Sequence, residues 1–208
     1  MELERLRKDF IPYNVFSRPG EKCSPMGIAI HWPEWPGASA QRVRDYFAGL
    51  ANQDPDNPDA RYASTQFTLD SKEIIQLMPL KEKAYHVGKW PPEGYTRFTW
   101  RYFKKRHRYP KPNRYLLGVE VSHKDATGEW DVKTLYNLME LCTYLCIIYG
   151  WDPTSLLHIT THHEITGKAC PKWFVDHPDK LEYFRIQVKK HVENRQEDER
   201  YHTHDEIM

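Results

Sequence analysis

Chemistry-bearing residues crowd into one segment of the 208-residue chain, Thr161 to Pro171, which reads THHEITGKACP. A zinc site needs N or S ligands arranged as a tetrahedron, and a catalytic one takes three from protein and leaves the fourth position open. His162 and Cys170 lie eight residues apart with Thr166-Gly167 between them, so the two can face one ion from either end of a tight loop. Two other metal signatures fail on spacing. His163-Glu164 begins like HExxH, but Gly167 stands where the second His is needed. The deaminase signature requires a further cysteine that this segment lacks. Consecutive side chains at a strand end point to opposite faces, so only one of His162 and His163 can point at a site, and the residues alone do not choose between them. Two adjacent histidines after a strand also fit a pair of exposed polar residues with no ligand at all.

The elements that must position this segment are legible in outline. Met26 to Trp32 (MGIAIHW) is a short apolar run that fits a buried strand, with His31 near its C-terminal end. After a turn at Pro33 to Ala38, Ser39 reads as the N-cap of a helix from Ala40 to Leu50, with Val43, Phe47 and Leu50 at helical spacing. Thr65–Leu69 and Ile74–Pro79 read as a hairpin turning at Asp70-Ser71. Leu116 to Ser122 (LLGVEVS) is an apolar strand carrying one acid, Glu120, and an acid inside such a strand needs a reason to be buried. Val132 to Tyr149 is the clearest helix. Val132, Leu135, Leu138, Met139, Cys142, Leu145, Cys146 and Tyr149 make its apolar stripe, and Gly150 closes it. Leu156 to Thr161 is a further strand leading into the His-rich loop, and Asp179 to His191 a last amphipathic helix. Residues 89–113 are expected to be a long irregular stretch, rich in Pro, aromatic and basic residues, of the kind that is usually functional. Residues 10–26 are Pro-punctuated and extended, and Glu193 to Met208 a polar, frayed tail.

Composition bounds the class. A hydrophobic fraction of 39% with 13% aromatic residues, seven Trp and thirteen Tyr argues for a folded chain with aromatic-rich surfaces. At this length roughly 70% of the unfolded surface can be buried in one core. The net charge of +1 gives no sequence-wide basic field, so nucleic acid is not the expected partner. No stretch approaches the roughly 20 apolar residues that span a bilayer, and MELERLRKDF has no apolar core of a secretory signal. The expectation is synthesis in the cytoplasm, with any action outside requiring another exit route. Four cysteines are too few for a disulfide scaffold, and Cys142 and Cys146 fall on a buried helix stripe, as inert core thiols do. One domain over residues 1–190, with a polar tail at 191–208, is the expected organisation.

Several segments, in order, carry a resemblance: SRPG (Ser17 to Gly20), GIAIHW (Gly27 to Trp32), PGASA (Pro36 to Ala40), STQFTLDSKEIIQLMPL (Ser64 to Leu80), AYHVG (Ala84 to Gly88), LGVEVSH (Leu117 to His123) and HEITGKACP (His163 to Pro171). Any one is weak; together, ending in His-x5-Lys-x-Cys-Pro, they are specific. Over about Pro12 to Val188 the chain resembles the zinc-dependent N-acetylmuramoyl-L-alanine amidases, the group of T7-type lysozyme and the peptidoglycan recognition proteins. It is most similar to Gram-positive phage endolysins and prophage or autolytic amidases.

The resemblance to this family implies roles for particular residues. Its metal ligands fall on His31, His162 and Cys170, with His163 the neighbour on the other face, and the cofactor is Zn2+. Lys168 matches the group that stabilises the oxyanion. The proton-transfer residue of relatives is a Tyr on the second strand or a Glu on a later one. Thr65 stands at the Tyr position and Gln66 where many members have His, which leaves Glu120 as the matching acid. A bland alternative makes Glu120 an acid that merely pairs with a base. His86 resembles the residue in the family's cleft that contacts substrate, and Thr65 and Gln66 are grouped with it. Trp32, Trp35 and Trp90 are candidates for lining a sugar- or peptide-binding groove, and equally for the core. The basic run Arg101 to Arg108 reads as a solvated loop more readily than as a wall-binding patch. The implied fold is α/β, a mixed central β-sheet flanked by helices on both faces, with zinc in a cleft at the strand ends. The implied partner is peptidoglycan, cut between N-acetylmuramic acid and L-alanine. Two rivals are a recognition module on the same fold without catalysis, against which Cys170 argues, and a zinc hydrolase of a different amide.

Overall fold

A computed structural model describes residues 3–88, 94–104 and 107–205, with backbone alone from residue 199. Six strands, β1 (Leu6–Lys8), β2 (Gly27–His31), β3 (Phe67–Leu69), β4 (Ile74–Gln76), β5 (Leu116–Val121) and β6 (Ile159–Thr161), form one sheet in the order β1-β4-β3-β5-β2-β6. The β3–β4 hairpin is antiparallel and every other neighbouring pair is parallel, so the expected mixed sheet is present. Its turn is held by the Asp70 carboxylate, which accepts from the backbone N–H groups of Lys72, Glu73 and Ala40. Strand β2 sits between parallel neighbours and is buried along its whole length, which is why its sequence reads as an apolar run without alternation.

Helices cover both faces. On one, α3 (Val132–Tyr149) and the C-terminal α6 (Pro178–Asp205) pack over Ile28, Ile30, Phe67, Leu117, Val119 and Val121. On the other, α1 (Ala40–Gly49) places Val43 and Phe47 against Ile75, Leu77 and Met78. Beside it α2 (Arg97–Phe103) buries Phe103 against Ala29 and Leu116. Two one-turn helices, α4 (His162–Thr166) and α5 (Lys172–Asp176), follow β6.

Caps decide several boundaries. Ser39 accepts from the Arg42 N–H to start α1, and the Asp131 carboxylate accepts from Lys133 and Thr134 to start α3. Gly150 ends α3 in the left-handed region at φ 66°. The stripe of α3 begins later than its sequence suggests: Val132 is 84% exposed and Leu135 is exposed, while Leu138, Leu141, Cys142, Leu145 and Cys146 are buried. At about 100° per residue, Val132 points away from the Leu138–Leu141–Leu145 face.

Other expectations are corrected. Residues 89–113 are not wholly irregular, because Thr96 caps α2 and a single 3-10 turn spans Pro112–Arg114; Trp90 and two positions of the basic run, 105 and 106, lie outside the described residues. The strand expected from Leu156 starts at Ile159, since Ser155 to His158 closes a backbone turn. Thr65 and Gln66 precede β3 rather than belong to it. Helix α6 does not fray at residue 193: Val192 is buried in the core and Arg195 pairs with Glu140 of α3.

Candidate metal centre and cleft

Strands β2, β5 and β6 run parallel, so their C-terminal ends share one edge of the sheet. His31 ends β2, Glu120 is one residue from the end of β5, and His162 directly follows β6. Register pairs His31 with Glu120 and Glu120 with Thr68, which sets these three side chains in a row on one face. The alternation of β5 explains the choice: Leu117, Val119 and Val121 enter the α3–α6 core, so Glu120 must turn to the other side.

Three Lewis bases meet there. His31 Nδ1 lies 3.1 Å from His162 Nδ1 and 3.8 Å from Cys170 Sγ, and all three residues are buried. Tetrahedral coordination, with Zn–N about 2.0 Å and Zn–S about 2.3 Å, sets ligand atoms about 3.3–3.6 Å apart, close to this spacing. Two imidazoles and a thiol suit a borderline-soft cation. Among the described residues the buried His162 Nε2 has no hydrogen-bond partner, so no second contact competes for the ring whose Nδ1 faces the cluster. The donor set fits zinc.

Protonation states agree with that fit. Burial drives His31 well below the ordinary imidazole range, aided by His162, and brings His162 down to about 3, aided by Lys168. Both rings are therefore neutral and keep lone pairs at physiological pH. Burial holds the Cys170 thiol far above its ordinary value, although a backbone N–H of Trp32 points to its sulfur and Lys168 favours the thiolate. A cation would have to displace that proton, and the N–H is already placed to receive the resulting charge.

A hydrogen-bond relay sets the tautomer of His31. His86 Nε2 lies 3.1 Å from the Leu116 carbonyl, which can only accept, so Nε2 carries the proton. His86 is neutral, lowered to about 4 by burial, so its Nδ1 accepts from His31 Nε2–H at 3.0 Å. His31 Nδ1 is thus left bare and faces His162 and Cys170. Room for the His86 ring comes from Gly118, where an added Cβ would stand 2.7 Å from the imidazole. The residue expected to touch substrate is thus first a support for His31, although it also borders the cleft.

The choice left open between the two histidines is resolved by geometry. His163 is exposed; its Nδ1 lies 3.1 Å from the Lys168 carbonyl and its backbone N–H donates to the Cys170 carbonyl at 2.8 Å. It ties down the returning loop, and His162 alone faces inward.

Above the cluster opens a cleft of about 600 Å³ lined by His31, Trp32, Glu34, Trp35, Arg61, Tyr62, Tyr85, His86, Glu120, His162, Lys168 and Cys170. That volume accommodates a ligand of several rings. Glu120 Oε2 is buried without a partner among the described residues, and burial raises its pKa to about 7 against the pull of Lys168. Lys168 Nζ pairs with Glu34 Oε1 at 2.7 Å across the cleft mouth. Trp32 borders the cleft and packs on His123, and Trp35 lies beside it. Thr65 and Gln66 are not brought to the cleft. Both are fully buried, and Gln66 is spent on the backbone, accepting from Gly118 N–H at 2.7 Å and donating to the Glu82 carbonyl at 2.9 Å. Glu34, Arg61, Tyr62 and Tyr85 escaped sequence reasoning: the first three sit in turns or loops outside any quoted motif, and Tyr85, although inside AYHVG, was overshadowed there by His86.

Residues 22–173 match the model of the family described as N-acetylmuramoyl-L-alanine amidase. A probable N-acetylmuramoyl-L-alanine amidase of Bacillus licheniformis is 34% identical over 182 residues, 86% of this chain and 46% of that protein. The amidase BlyA of Bacillus subtilis (strain 168) is 30% identical, again over 86% of this chain and 46% of its own length. The solved catalytic domain of XlyA superposes with a TM-score of 0.62 at 25% identity, covering 86% of this chain and 98% of that domain. The chain belongs to the N-acetylmuramoyl-L-alanine amidase family. It spans about half the length of the curated relatives it matches.

Proposed function

We propose that this protein is a zinc-dependent peptidoglycan hydrolase that cleaves the amide between the lactyl group of N-acetylmuramic acid and L-alanine. The observation that carries the reading is the buried cluster of His31, His162 and Cys170 at the floor of an open cleft. Family membership supports the choice of bond. These three residues would hold the ion at the floor of the cleft. The chemistry zinc supplies there is Lewis acidity, which makes water nucleophilic near neutral pH and polarises the scissile carbonyl. Glu120 takes the proton of the attacking water and returns it to the leaving amine, a task suited to a carboxyl that titrates near 7. Lys168 stabilises the developing oxyanion once its Nζ turns from Glu34 into the cleft. Trp32 and Trp35 offer apolar faces to the sugar and peptide.

Purified protein supplied with zinc is expected to release free amino groups of L-alanine from Gram-positive cell walls without new reducing sugars. Reducing ends without new amino termini would overturn the assignment.

A further inference from the structure

His162 starts a helix of only five residues, and one turn cannot hold itself in place. It follows a three-residue strand at the edge of the sheet, paired with β2 alone. A ligand at that junction needs an external anchor. The structure supplies one from α6, at a position beyond residue 173 where the family match ends.

Arg185 is 3% exposed. Its Nε and Nη2 donate to the Ile159 carbonyl at 3.0 and 2.8 Å, and Nη2 also reaches both Glu164 carboxylate oxygens at 2.8 Å. Glu164 in turn accepts from the Thr161 N–H at 2.9 Å and the Thr160 hydroxyl at 3.0 Å, while the Thr161 hydroxyl accepts from the Glu164 N–H. The reciprocal Thr161–Glu164 pair is a capping box that encloses His162. One guanidinium thus bolts the first residue of β6 to the first turn of α4, on either side of the ligand. An apolar side chain of similar size would fill the same space without burying a cation, so packing alone does not account for an arginine here.

We propose that Arg185 is a positioning residue for the metal centre, fixing His162 through Glu164, so that α6 belongs to the site although it touches no reacting atom. This inference rests on His162 being a ligand.

The test is metal affinity of the full chain, measured with Co2+ and Zn2+ against a chromophoric chelator, for wild type, Arg185→Met, Arg185→Lys and Glu164→Gln. Circular dichroism and melting in chelator check the fold of each. Outer groups that orient a metal ligand cost roughly 10–100-fold in affinity when removed; Arg185 and Glu164 hold the backbone on either side of His162 rather than its ring, which places them at the low end of that range. Arg185→Met and Glu164→Gln should each weaken binding at least tenfold while the metal-free chain stays folded, and the double variant should lose little beyond the worse single one. Arg185→Lys should recover part of the loss. Wild-type affinity in a folded Arg185→Met chain would overturn the proposal. If Arg185→Met does not fold, Glu164→Gln decides alone, since its half-buried carboxylate leaves the Arg185–Ile159 bonds intact, and unchanged affinity there is equally fatal. If His162→Ala binds as tightly as wild type, the ligand assignment itself fails, which is a separate outcome.

Discussion

At the scale of single residues, Glu120 has the most to reveal. Its carboxyl has a pKa near 7, against 4.5 as its ordinary value, because burial penalises the anion. A pKa raised on folding means that the native state prefers the neutral form. The stability this gives is complete below about 4.5 and is lost as pH rises through 7. Glu120→Gln should therefore leave metal-free stability at about pH 4 nearly unchanged and raise it at about pH 8, by about 3 kcal/mol. Denaturant unfolding in chelator at the two pH values reads this directly, and parallel pH trends in both proteins would contradict it. In the metal-loaded enzyme the same substitution should cut kcat by roughly 10²–10⁴-fold without loss of metal. The spacing of His162, Lys168 and Cys170 was legible in the sequence because all three lie on one short segment, the one-turn helix α4 and the return that follows it. The support given by His86 was not, since its partners, the Leu116 carbonyl and His31, meet it only across the sheet.

Elements were legible where local signals were strong. Helix α3 carries both caps and an apolar face, and β2 an unbroken apolar run, so each was placed to within a residue or two. Strand β1 was missed because three residues, LRK, at the sheet edge carry no pattern and are held by pairing with β4. The end of α6 was misjudged because its polar sequence hides two tertiary contacts, Val192 in the core and Arg195 on Glu140. Deleting residues 191–208 should thus cost about 2 kcal/mol, chiefly the burial of Val192. For a chain of this size that lowers the melting midpoint by roughly 4–8 °C. A melt identical to that of the full chain would show that this last stretch contributes nothing to the fold.

At the scale of the whole molecule, the sheet order decides function. His31 and Cys170 are 139 positions apart in the chain and become neighbours because β2 lies between β5 and β6. That order leaves no trace in local pattern; the resemblance to a family implied a mixed sheet with the site at its strand ends, and no strand order. The topology puts the cluster at the strand ends and walls it with turns such as that carrying Glu34, and helix α6 braces it from behind. The proposed activity requires a metal held at that point. X-ray absorption at the zinc edge of the full chain, purified without chelator, tests it most directly. One zinc per chain is expected, with a single sulfur at about 2.3 Å and two nitrogens at about 2.0 Å. A chain without stoichiometric zinc, or zinc whose coordination contains no sulfur, would contradict it.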